Sequence, residues 1–363
     1  MAKIDPFLIR LLNTPTAPFR EHLVSQLLKQ ELDLNGVPWC EDAHHNLIVG
    51  APSIPVFKKL LGTRTTKPVC FFIAHMDHPG FHVTKALGKG HFEFVWHGGS
   101  PLRDLKGASL YVSNLEGRVA SAKLLKSKLD PSKRWMESGT LRLDDATAFE
   151  DHAAKKIFGG FHFGDFTWVK DQTLYTKAAD DLVGCYAIVK AFITQWKKSG
   201  AAVQPLALLT IGEEVGWVGA IGHFKEGYWD RLKRPAYVVS VEASRARERA
   251  EIGKGPVVRL GDKATIFHAR LSQELMLLSC HATRKRFQYR VMDGGTCEGT
   301  VSSAWKLDTV ALCVPLGNYH NMSLEGGPRA SRQATGPAPE FVNLDDLSGL
   351  VKICGTLMQQ PLG

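Results

Sequence analysis

The sequence predicts an α/β fold, a mixed sheet covered by helices on both faces, with an inserted small β-barrel-like domain. Three observations carry this. Val69-Cys70-Phe71-Phe72-Ile73-Ala74, bounded by Pro68 and His75, is short and uniformly apolar, as a strand buried on both faces is. Residues 84–175 alternate strand-like pieces with Gly-rich turns. From residue 183 onward, helical and strand-like stretches alternate. At 363 residues the chain exceeds what one core usually holds, so two domains are expected. These are a catalytic α/β domain, 1–83 with 176–363, and a β-rich insert, 84–175.

Taken in order, residues 5–34 place Leu8, Leu11 and Leu12, then Leu23, Leu27 and Leu28, at helical spacing. Thr14-Pro15-Thr16-Ala17-Pro18 splits the stretch into two helices. Within the insert, residues 92–96, 109–112, 118–120 and 166–169 read as strands. Beyond it, 183–196 reads as helix and 206–211 as strand, followed by a helix through Gly219-Ala220-Ile221. Residues 236–241 read as strand, 266–281 as helix and 309–314 as strand. Residues 326–340, rich in Gly, Pro and Ala, read as a loop. Asn343 caps a final helix whose first turn carries Asp345 and Asp346, favourable to the helix dipole.

Composition is that of an ordinary folded chain, 44% hydrophobic and 22% charged. The apolar stretch at residues 7–12 is too short and interrupted for a signal peptide. No apolar run approaches a membrane span, so the expectation is a cytoplasmic chain with no membrane partner. The net charge of +9 raises a nucleic-acid partner. The densest basic cluster, Arg284-Lys285-Arg286-Phe287-Gln288-Tyr289-Arg290, has no recognisable nucleic-acid motif, so it reads as a solvated face and no nucleic-acid partner is expected. The seven cysteines are odd in number and form no CxxC pair, which argues for free thiols over a disulfide framework.

Five segments set metal-type residues at or near the end of mostly apolar runs: His75 with Asp77, Asp180 with Asp181, Glu213 with Glu214, Glu242, and His320. Open α/β sheets build sites at the carboxyl ends of their strands. Carboxylates and imidazoles gathered there need pairing or cations. Singly, each has a plainer role: His75 as a hydrogen-bonded structural histidine, Asp180-Asp181 as a helix N-cap pair, Glu213-Glu214 as a charged helix start, Glu242 as a partner of Arg245, His320 as a loop histidine. Together they point to a two-metal site in which one carboxylate bridges ions roughly 3.5–4 Å apart.

The chain resembles the M42 family of dinuclear metallo-aminopeptidases, the glutamyl and deblocking group of the wider zinc-peptidase clan. Beyond the ligand segments, the resemblance includes Glu116-Gly117-Arg118-Val119, Gly164-Asp165-Phe166, Gly253-Lys254-Gly255-Pro256-Val257, Phe287-Gln288-Tyr289 and Gly294-Gly295-Thr296. The insert also falls between the His-x-Asp and Asp-Asp segments, as in that family. The resemblance implies that His75 and Glu242 bind one metal, that Glu214 and His320 bind the other, and that Asp180 bridges them. Asp77 would orient His75. Glu213 would be the general base, activating a metal-bridging water and passing its proton to the leaving amine. Two divalent ions per chain are implied, zinc first, with cobalt or manganese as alternatives. Short peptides are the implied substrates and a homo-oligomer, often a dodecamer, the implied assembly.

Five positions depart from the family's usual residues. Leu182 stands for Arg, Val218 for the Arg of Leu-Arg-Gly-Ala, His78 with Pro79 for an acidic residue, Cys297 for Asp or Asn beside the substrate pocket, and Glu242 for Asp. They leave open another amidohydrolase of the clan, a deacylase or carboxypeptidase, and an inactive metal-binding assembly protein.

Overall fold

Alternate side chains of the central apolar strand enter two separate cores, and this sets the layers of the molecule. The computed structural model describes residues 4–149, 152–199, 205–324 and 334–363. The chain opens with helices α1 (Pro6–Asn13) and α2 (His22–Leu34), strands β1 (Trp39–Glu41) and β2 (Leu47–Val49), helix α3 (Ile54–Gly62) and strand β3 (Val69–His75). Asp5 caps α1 by accepting from Phe7 N, and Ser53 caps α3 by accepting from Val56 N.

Next come β4 (Gly80–Gly88), β5 (His91–His97), β6 (Ser109–Ser113), β7 (Val119–Leu129), β8 (Met136–Leu143) and β9 (Phe158–Phe161). They close into a barrel in the order β4-β5-β8-β7-β6-β9, filled by Phe81, Phe94, Trp96, Leu110, Leu141 and Phe161. Strands β10 (Thr167–Lys170) and β11 (Thr173–Thr176) stand apart from the barrel, and β11 pairs antiparallel with the late strand β19 (Glu340–Asn343).

Helix α4 (Leu182–Ser199), β12 (Leu206–Thr210), α5 (Val218–Lys225), β13 (Ala236–Arg245) and β14 (Val257–Asp262) follow. Then come α6 (Ala269–Ala282), β15 (Gln288–Met292), α7 (Glu298–Ala304) and β16 (Asp308–Leu316). The antiparallel pair β17 (Met322–Leu324) and β18 (Ala334–Pro337) precedes β19, and α8 (Leu344–Gln359) ends the fold. Asn343 caps α8 by accepting from Asp345 N and Asp346 N.

The eight-stranded sheet runs β1-β2-β12-β3-β13-β16-β14-β15. Its centre, β12-β3-β13-β16, is parallel, while β2 and β14 join it antiparallel, so the sheet is mixed as expected. Cys70, Phe72 and Ala74 face a core completed by α1, α2, α4, α6 and α8. Val69, Phe71 and Ile73 face a second core completed by α3, α5 and α7. This is the two-residue period of a strand with both faces covered.

Helix α6 starts later than its periodicity suggested, because Ile266 forms a bridge with Gly261 and His268 caps the helix through Leu271 N. Of the expected loop 326–340, residues 326–333 lie outside the described residues. Residues 334–337 form a strand with β17, and Glu340 begins the strand that pairs with β11. The basic cluster is partly neutralised within the chain, Arg286 pairing with Asp345 at 3.1 Å and Arg290 with Asp293 at 3.2 Å. All seven cysteines are free thiols. No helix among the described residues is long and apolar enough to cross a membrane.

Candidate metal centre

The parallel strands end together, and their register gathers the metal-type residues. His75 closes β3 beside Thr210 of β12, and Glu213-Glu214 come just beyond it, after Ile211 and Gly212. Glu242 lies in β13 next to β3. Asp180 stands between β11 and α4, and His320 in the turn after β16.

His75 Nε2 lies 3.5 Å from Asp180 Oδ1 and 3.9 Å from Glu242 Oε2. His320 Nε2 lies 3.0 Å from Glu214 Oε1 and 3.7 Å from Asp180 Oδ2. Asp180 therefore turns one oxygen toward each imidazole. The donor atoms form two groups that share it, His75-Asp180-Glu242 and Asp180-Glu214-His320, each within 4.8 Å. A third group, His75-Glu213-Glu214, meets the same limit, with Glu213 Oε2 3.9 Å from His75 Nε2.

These residues fit a pair of divalent cations. Among the described residues, buried Asp180 Oδ1, Glu214 Oε1, Glu242 Oε1 and His320 Nε2 find no hydrogen-bond partner, which is costly unless something else satisfies them. His320 Nε2 and Glu214 Oε1 are close but not aligned for a hydrogen bond. Burial, with neighbouring carboxylates, pushes Glu213 and Glu214 well above the usual carboxylate range and Glu242 up to about 7. Burial would lower His75, but Glu213, Asp180 and Asp77 outweigh it and hold the imidazole well above its ordinary value. This surplus of negative charge is what a cation offsets.

A second ring of groups holds these side chains in place. Asp77 Oδ1 is 3.5 Å from His75 Nδ1, while its two oxygens accept from Glu213 N at 3.0 Å and Glu214 N at 3.1 Å. Asp77 thus holds the glutamate turn as well as facing His75. Glu21, which carried no sequence signal, accepts from the preceding amide, Gly212 N, at 2.9 Å. His78 is buried, its Nδ1 2.6 Å from Asp180 O, so the departure at that position supplies a hydrogen bond to the Asp180 backbone. From the barrel side, Gly99 lies so close to His320 that a Cβ there would run into Nδ1.

A cavity of about 150 Å³ opens beside the cluster, lined by Arg245, Arg247, Arg259, Thr296, Tyr319 and Met322 among others. Arg259 is buried, donating to Ser244 Oγ at 3.3 Å, and the Tyr319 ring stacks on His320 at 3.7 Å. Cys297 does not line this cavity. It is fully buried behind it, its amide donating to Asp262 Oδ2 at 3.2 Å. Leu182 is buried in the apolar core and Val218 is exposed.

A profile of the M42 glutamyl aminopeptidase family matches residues 56–324. Among solved structures, the TET1 peptidase of Pyrococcus horikoshii, which can assemble into a tetrahedron or a large octahedral shell, is similar at 20% identity and a TM-score of 0.73, covering 97% of this chain and 98% of that one. A TET aminopeptidase from a marine sediment Thaumarchaeota archaeon is similar at 16% identity and a TM-score of 0.75, covering 98% and 95%. An aminopeptidase from Desulfurococcus kamchatkensis is similar at 17% identity and a TM-score of 0.72, covering 98% and 94%. At these identities the structures establish the fold. Among curated protein sequences, none matches.

Proposed function

The chain belongs to the M42 peptidase family, and from that premise we propose that its cluster is a two-cation centre removing N-terminal residues from short peptides. The enzyme is a metallo-aminopeptidase, a hydrolase. The two donor groups sharing Asp180 carry the reading of the site. In it His75 and Glu242 serve one cation, Glu214 and His320 the other, and Asp180 both, with zinc the first choice and cobalt or manganese alternatives. When bound, such a pair supplies Lewis-acid polarisation of the scissile carbonyl and lowers the pKa of the attacking water.

The chain's own residues supply the rest. Glu213, left off the cations, takes the proton from the attacking water and returns it to the leaving amine. Asp77 holds Glu213 and Glu214 by their amides while facing His75, so the base and one ligand keep a fixed separation. Arg245, Arg247 and Arg259 line the cavity and favour a substrate bearing a carboxylate near the cleaved bond. That feature also supports a second reading, a carboxypeptidase that binds the chain's terminal carboxylate. Free and acetylated forms of the same peptides separate the two: an aminopeptidase cleaves only the free-amine form, a carboxypeptidase cleaves both.

Residues 84–175 would be a separate inserted domain, built around the barrel. By analogy with the assembling TET1 peptidase, the chain would form a homo-oligomer such as a dodecamer, which sedimentation velocity tests. Its free thiols suit the reducing cytoplasm.

A further inference from the structure

We propose that Glu340 is a positioning residue that ties the backbone of the shared ligand, Asp180, to the backbone of His320 and so sets the affinity of the second cation position. This rests on the two-cation reading above.

Strand β19 runs between the two segments that carry these ligands. On one side Glu340 is in register with Thr176 of β11, which leads into Asp180. On the other, Phe341 exchanges backbone hydrogen bonds with Gly317, at 2.9 and 3.2 Å, three residues before His320. The Glu340 side chain reaches both. Its Oε2 accepts from Ala179 N at 2.7 Å and Asp180 N at 3.0 Å, and its Oε1 accepts from His320 N at 2.8 Å.

The residue is 0% exposed, so no water substitutes for those acceptors. Both oxygens are taken by amides, which keeps Glu340 off the cations. A carboxylate only accepts and serves all three donors at once, through charge-assisted bonds about twice as strong as neutral ones. Asp180 is also held at its carbonyl by His78. Its backbone is fixed from both sides, and the Glu340 carboxylate bonds directly to the amides of both residues. Metal sites need such supports to hold geometry within about 0.5 Å.

The test is a zinc titration of the metal-stripped full chain against a chromophoric competitor, with unfolding temperature recorded alongside. Glu340→Gln keeps the shape but turns an NH2 toward amide donors whichever way it flips. Glu340→Asp keeps the charge and withdraws it by one methylene. Wild type is expected to take two ions. Both variants are expected to keep the first and bind the second at least about tenfold more weakly. A merely structural role would lower the unfolding temperature and leave both binding midpoints in place, and that result overturns the inference while sparing the two-cation reading. If Glu340→Gln does not fold, Glu340→Asp decides by the same comparison. A wild type that takes fewer than two ions removes the two-cation reading and the inference together.

Discussion

Glu213 and Glu214 are neighbours in sequence, yet only Glu214 stands 3.0 Å from His320, while Glu213 reaches toward His75 at 3.9 Å. If Glu213 moves the proton, Glu213→Gln lowers kcat by about 10²–10⁴-fold, the usual contribution of a general base, with metal content unchanged. Elemental analysis beside the rate measurement checks both halves. The raised carboxyls give a second expectation. Glu242 sits up to about 7 and Glu213 and Glu214 well above their usual range, so protons compete with the cation near neutrality. Lowering pH from about 8 to about 6 should weaken cation binding, and binding should release protons. Calorimetry in two buffers of different ionisation enthalpy reads that release; proton uptake would contradict it. That His75, Asp180, Glu213 and Glu214 converge was legible because each ends or follows an apolar run. Glu21 and Glu340 were not, since a lone glutamate that binds distant amides leaves no local pattern.

The elements that sequence periodicity revealed are the long or uniformly buried ones: β3, α4, β13, β16 and α8. Short β1 and β2, edge strand β15 and seven-residue α7 were missed, because each is too short to show a period of its own. Distance along the chain hid what the barrel does for the site. The Gly98-Gly99 turn after β5 lies beside the cluster: a Cβ on Gly98 would meet Pro79 and then Glu214, and one on Gly99 would run into the His320 ring. Gly99→Ala should displace His320 and loosen the second cation while the barrel stays folded. The absorption spectrum of the cobalt-loaded protein would report it, and an unchanged spectrum and stoichiometry would refute the contact's importance.

At the scale of the whole molecule, the mixed sheet with both faces covered followed from alternation along one apolar strand and from the returning α/β pattern. What the sequence did not reveal is that the C-terminal strand β19 returns to brace β11 and the His320 turn, a contact between segments far apart in the chain. The basic composition finds part of its use within the chain, in buried Arg259 beside the cavity and in the surface pairs of Arg286 and Arg290. The central claim is a two-cation aminopeptidase, and one titration tests it most directly: hydrolysis of a free-amine aminoacyl-nitroanilide as zinc, cobalt or manganese is added to metal-stripped protein. The rate should rise from baseline and saturate at two equivalents per chain. Saturation at one equivalent, or no hydrolysis with any of the three metals across a panel of aminoacyl groups, would contradict the account.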